Sequence, residues 1–143
     1  MKKDRGFSLL ELLIVVAIIL IIATIAIPSL LRSRQAANES AAVANIRTIN
    51  TAQVTYLASA AGVYGKFSDL VGQGLMDSRW SGTTPTVSGY VFTITPGSPA
   101  SSYTILASPS GTSGRCSFGS TEDAVVRYST LITGCLGTAG NPL

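Results

Sequence analysis

From Phe7 to Leu31 the chain is a nearly unbroken run of apolar residues, and Glu11 is the only charge among them. About 20 such residues cross the hydrocarbon core of a bilayer. At a helical rise of about 1.5 Å per residue, Leu12 to Ile27 alone covers roughly 24 Å. Residues 30–61 follow a different pattern. Ala42, Ile46, Ile49, Gln53, Tyr56, Leu57 and Ala60 fall on one helical face, while Arg32, Arg34, Asn38, Glu39 and Arg47 lie off it. The stripe is imperfect, with Gln53 in its middle, but it can cover a sheet. Pro28 removes one helical hydrogen bond and disfavours αR geometry at Ile27, so a kink or loosened stretch is expected over Thr24–Pro28, with helix resuming from Ser29. Gly62 ends the helix.

Past Gly62 the composition shifts to Gly, Ser, Thr and Pro. Lys66 to Met76, with Ser68 as a cap before Asp69, predicts a short helical turn in a connecting loop. Tyr90–Thr95 alternates, placing Tyr90, Phe92 and Ile94 on one face, and Pro96–Pro99 breaks it. A second strand is predicted at Tyr103–Ala107, ended by Ser108–Gly111. Arg115–Gly119 and Ala124–Thr130 read as two more, paired through Ser120–Asp123. The expected class is α+β. A long N-terminal helix, apolar in its first half and amphipathic in its second, packs through residues 42–61 on a four-stranded antiparallel sheet.

Charge and composition narrow the function. The 143 residues are one domain's worth, and part of that length is unavailable to a soluble core. Of the formal net charge of +3, Lys2, Lys3 and Arg5 against Asp4 supply +2. From Phe7 onward seven Lys/Arg face six Asp/Glu, a net of +1, so there is no basic patch and no nucleic-acid partner is expected. Three cations before an apolar segment fit a leader retained on the cytoplasmic side. The chain has no His, the commonest metal ligand and general base. It has no G-x-S-x-G, and its one close carboxylate pair, Glu122-Asp123, reads as hairpin-turn residues. Gly72-Gln73-Gly74 lacks the Lys-Ser/Thr of a phosphate loop, and Asn38-Glu39-Ser40 is a sequon in mid-helix, best explained by chance. No catalytic residue, metal or cofactor is therefore expected.

Glu11 has three explanations. An ordinary secretory signal would be cut near Ala26, but it should not carry a charge inside its apolar region. In a plain membrane anchor, Ser8-Leu9-Leu10-Glu11 is a capping box, and the carboxylate complements the helix dipole. The third takes the whole string. A short basic leader ending in Gly6, then Phe7-Ser8-Leu9-Leu10-Glu11, a long apolar helix and Pro28 resemble the start of type IV pilin precursors and the related pseudopilins of type II secretion.

That resemblance implies cleavage between Gly6 and Phe7 by a membrane-embedded prepilin peptidase, which also N-methylates Phe7. Glu11 becomes the fifth residue of the mature chain and an assembly residue, pairing with the Phe7 amine of a neighbouring subunit. The implied partners are further pilin subunits, the inner-membrane pilus assembly machinery and, before assembly, the lipid bilayer. The implied destinations are the inner membrane and then an extracellular filament. The partition is a leader at 1–6, an apolar membrane and filament-core helix at 7–31, its amphipathic continuation at 32–61, a connecting loop at 62–86 and a sheet region at 87–143. Cys116 and Cys135 could be two buried thiols, but export across a membrane favours an oxidised pair, and the resemblance implies a disulfide stapling the sheet's C-terminal end. Closing a loop with 18 residues between the cysteines is worth roughly 3 kcal/mol. The cysteine pair favours a pilin over a pseudopilin, and residues 62–143 lack a carboxylate cluster that could hold the calcium of major pseudopilins. A membrane-anchored or secreted binding module remains the other class. It leaves the Gly6-Phe7…Glu11 arrangement unexplained.

Overall fold

A computed structural model describes residues 7–98, 101–131, 135 and 140–143. Helix α1 spans Leu9–Ser59 and α2 spans Phe67–Gly72, followed by a 3₁₀ turn at Ser78–Trp80. Five strands follow: β1 (Thr86–Val87), β2 (Tyr90–Pro96), β3 (Tyr103–Pro109), β4 (Cys116–Thr121) and β5 (Arg127–Leu131). The chain divides into two compact units, Met1–Arg34 and Gln35–Leu143.

In the first unit the helix is continuous through Pro28, so the stretch expected to kink or loosen over Thr24–Pro28 keeps its helical assignment. Proline withholds one N–H from the Thr24 carbonyl, and the intact turns on both sides carry the helix through. Thr24 Oγ1 turns back to donate to the Ile21 carbonyl at 2.7 Å, the kind of local adjustment that accompanies Pro in apolar helices.

In the second unit the strands form one antiparallel sheet in the order β1-β2-β3-β4-β5, a meander with each strand beside its sequence neighbour. The helix-facing rows are set by register. Phe92 pairs with Ala107, Ala107 with Phe118, and Phe118 with Tyr128, so a small residue separates two large rings. Against this face α1 buries Ala42, Ile46, Ile49, Asn50, Ala52 and Gln53. Trp80 joins the same core, with its ring 5.0 Å from Phe92 and 5.5 Å from Phe67. The periodic stripe is thus correct at Ala42, Ile46, Ile49 and Gln53, whereas Tyr56, Leu57 and Ala60 are only half-buried.

The expected α+β class holds, with five strands rather than four. The additional β1 is two residues long, too short for alternation to register. Ala124–Val126 precedes β5 and is not part of it. The Ala124 N–H donates to the Thr121 carbonyl at 2.9 Å, and Ala124 sits at φ 58°, a left-handed turn position that its β-compatible composition did not advertise. The cap of α2 is also different. The Asp69 carboxylate accepts from the Lys66 N–H at 2.8 Å, so Asp69 and not Ser68 closes the first turn.

Candidate functional site

The start of α1 carries the residues singled out by the sequence. The Ser8 N–H donates to Glu11 Oε2 at 3.0 Å, and the Leu12 N–H donates to the Ser8 carbonyl at 3.2 Å. Ser8 therefore occupies the N-cap position, and Glu11 closes the side-chain half of the capping box. That bond leaves the rest of the carboxylate free, because an ionised carboxylate has about four acceptor sites. Among the described residues no cation lies within ion-pair distance of it. Phe7 is 76% exposed, and every large apolar side chain from Leu9 to Leu31 is exposed as well. The helix is long and apolar enough to cross a membrane. Gly6 and the leader lie outside the described residues, so the expected cut between Gly6 and Phe7 is described on one side only.

In the second unit the two cysteines are joined: Cys116 of β4 and Cys135 form a disulfide. Cys116 is held on a second side, since Tyr90 Oη donates to its carbonyl at 2.8 Å. Gly114 makes room for this, because a Cβ there would collide with the Tyr90 hydroxyl. The stretch before β4 is fastened to α1 by three polar side chains that the sequence had placed outside the apolar stripe or left unremarked. Gln35 Nε2 donates to the Thr112 carbonyl at 3.0 Å, and Asn38 Nδ2 to the Ser113 carbonyl at 2.9 Å. The Arg115 N–H donates to Glu39 Oε1 at 2.7 Å. The Arg115 side chain adds little, since its Nε stands 3.7 Å from the same oxygen. Their i, i+3, i+4 spacing was the available signal, one helical face of hydrogen-bonding residues. Asn38 of the sequon is thus a structural donor.

A buried polar cluster was missed altogether. Tyr103 Oη donates to Asn50 Oδ1 at 3.0 Å, and Asn50 Nδ2 donates to Ser120 Oγ at 2.9 Å and to the Ala124 carbonyl at 3.2 Å. Burial pushes the Tyr103 phenol up to about 12, and the same effect, reinforced by the Glu39 charge, raises Tyr90 further. On the surface, the hydrogen bond from Arg127 holds the Asp123 carboxyl well below the usual carboxylate range. These groups tie strands to helix, to turn or, for Tyr90, to another strand. Among the described residues no three of His, Cys, Asp and Glu gather as a metal-binding group.

Comparison with known proteins agrees with this arrangement. Residues 1–27 match the family described as "Prokaryotic N-terminal methylation motif". The "Type IV major pilin protein PilA" of Myxococcus xanthus is 40% identical over 70 residues, covering 49% of this chain but only 31% of that protein. The "Type IV wide pilus major component PilA4" of Thermus thermophilus is 33% identical over 134 residues, covering 93% of this chain and 94% of its own length. With a methylation motif that runs into the apolar helix, an amphipathic continuation on an antiparallel meander, and likeness along nearly its whole length, the chain belongs to the type IV pilin family.

Proposed function

We propose that this chain is a structural pilus subunit, made as an inner-membrane precursor, cut between Gly6 and Phe7 by a prepilin peptidase and methylated at Phe7. The inner-membrane assembly machinery then adds it to an extracellular filament of like subunits. Residues 1–6 act as the leader, 7–31 as membrane anchor and later filament core, and 32–61 as the helix that carries the 87–143 sheet region through the 62–86 connection. The observation that carries the proposal is the apolar surface of α1. Phe7 and the large side chains of α1 from Leu9 to Leu31 are between 45% and 80% exposed, and full burial is worth about 1.5–3 kcal/mol for each. Lipid covers that surface before assembly, and neighbouring helices cover it afterwards.

Glu11 fits both settings. Four residues past the new terminus, or roughly 6 Å along the helix, it stays near the polar interface of the bilayer. Among packed helices an unpaired carboxylate would cost several kcal/mol, and the Phe7 amine created by cleavage supplies the opposite charge. A pair completed only between subunits favours one axial register over others. Intact-mass measurement of the main band from sheared surface filaments tests the proposal. A chain beginning at Phe7 with one added methyl group is expected, and a chain beginning near Ile27 would overturn it.

A further inference from the structure

The sheet has two edges, and each is dealt with differently. At one end β1 has only two residues. At the other, β5 would present an open row of main-chain donors and acceptors, the usual template for pairing with another chain. Residues 140–143 lie along the start of that row, from Val126 just before β5 to Tyr128 within it. The Gly140 N–H donates to the Tyr128 carbonyl at 2.8 Å, the Tyr128 N–H to the Asn141 carbonyl at 3.1 Å, and the Leu143 N–H to the Val126 carbonyl at 3.0 Å. Arg127 and Pro142 stand opposite each other as an antiparallel bridge.

Two features separate this segment from an ordinary sixth strand. All four of its residues are exposed, so main-chain bonds hold it and side-chain burial contributes little. In addition, the bonds on either side of the bridge make Arg127–Pro142 a non-hydrogen-bonded pair, so the main-chain nitrogen of residue 142 points away from β5. A proline there has no N–H to offer a further strand. The segment therefore covers the edge and does not recreate it.

We infer that residues 140–143 close the start of the β5 edge, around Tyr128, against strand pairing with a second copy of this chain, and that Pro142 is the residue that stops the ladder from growing there. The occupant excluded is the equivalent edge of another molecule, which offers the same outward N–H and C=O of Tyr128. The edge exists whether or not the chain polymerises through Glu11, so the two proposals stand or fall separately.

The test uses the full chain in detergent micelles, with micelle-corrected mass by light scattering and near-ultraviolet circular dichroism as the check of folding. Deleting residues 140–143 should shift the mass from that of the unmodified chain to twice that value. Adding Tyr128→Pro to the deletion, which removes the outward N–H, should return it. Association through the apolar helix would ignore Tyr128→Pro. Pro142→Thr keeps the cover and restores one outward donor, and it should give a smaller shift in the same direction. Where the deletion fails to fold, Pro142→Thr alone decides: dimers support the inference and an unchanged mass overturns it. A folded deletion variant with the mass of the unmodified chain also overturns it.

Discussion

Gln53 lies in the middle of the apolar stripe of α1, fully buried, and the structure gives it a specific task. Its Nε2 donates to the Gly65 carbonyl at 2.7 Å and its Oε1 accepts from the Gly65 N–H at 3.0 Å, so one amide satisfies both main-chain groups of a buried glycine. Gly65 cannot move to find other partners, because its Cα lies against the Tyr56 ring: a Cβ there would come within 3.0 Å of it. Gln53→Leu would make the stripe uniformly apolar and strand both groups. Each stranded group costs about 1–3 kcal/mol, or about 2–6 together, and the better transfer of Leu returns about 1–2. Taken at mid-range, the expected loss is about 2.5 kcal/mol. At about 4 °C per kcal/mol for a domain near 100 residues, Tm should fall by about 10 °C. Thermal unfolding followed by the fluorescence of Trp80, which packs between Phe67 and Phe92, measures this in the same detergent for both proteins. Gln53→Glu should be comparably damaged at neutral pH and recover on acidification, when the carboxyl can again donate to the Gly65 carbonyl. An unchanged or higher Tm for Gln53→Leu would refute the reasoning.

Three further outcomes are expected. The Tyr103 phenol is raised from its ordinary value near 10 to about 12, so its contribution to stability is fully present below pH 10 and is lost as the pH rises from there through about 12. Tyr103→Phe should shrink that alkaline loss in a pH series of melts, and an identical alkaline limb would contradict it. Replacing both cysteines with Ser should lower stability by about 3 kcal/mol while leaving membrane insertion intact, read by melts and by membrane-fraction blots. Glu39→Gln keeps an acceptor for the Arg115 N–H but loses the charge assistance. It should cost about 1 kcal/mol and is checked by the same melts.

How much of this was legible depended on the range of the interaction. Ala42, Ile46 and Ile49 could be placed because a 3.6-residue period is a local property. The burial of Gln53 agreed with that period, but its reason did not show, since its partner is main chain 12 residues away with no side chain to mark it. Asn50 was invisible for the same cause: Tyr103 and Ser120 meet it only once β3 and β4 lie across the helix. The strands with aromatic alternation, β2 and β3, were recovered. Two-residue β1 was lost, and Ala124–Val126 was mistaken for strand because nothing in Ala or Val announces a left-handed turn. At the helix start the position was the reverse. A single carboxylate in a run of Leu, Ile and Val stands out at once, and Ser8 and Glu11 form the cap their spacing suggested. That same visible bond sharpens the question about Glu11, because a cap and an assembly residue look alike in an isolated subunit.

Counting surface filaments made by a Glu11→Ala subunit separates the two roles. Loss of the cap alone costs about 1 kcal/mol at one exposed helix end and should leave filament number almost untouched. Loss of the partner for a neighbour's Phe7 amine strands a charge among packed helices at several kcal/mol for every subunit added. The account predicts a subunit that is cleaved and retained in the membrane, by intact mass and membrane-fraction blots, with filaments absent or greatly reduced under the electron microscope. Glu11→Asp should fall between, because its charge remains while its reach shortens by one methylene. A processed Glu11→Ala subunit that makes filaments in normal number would contradict the account.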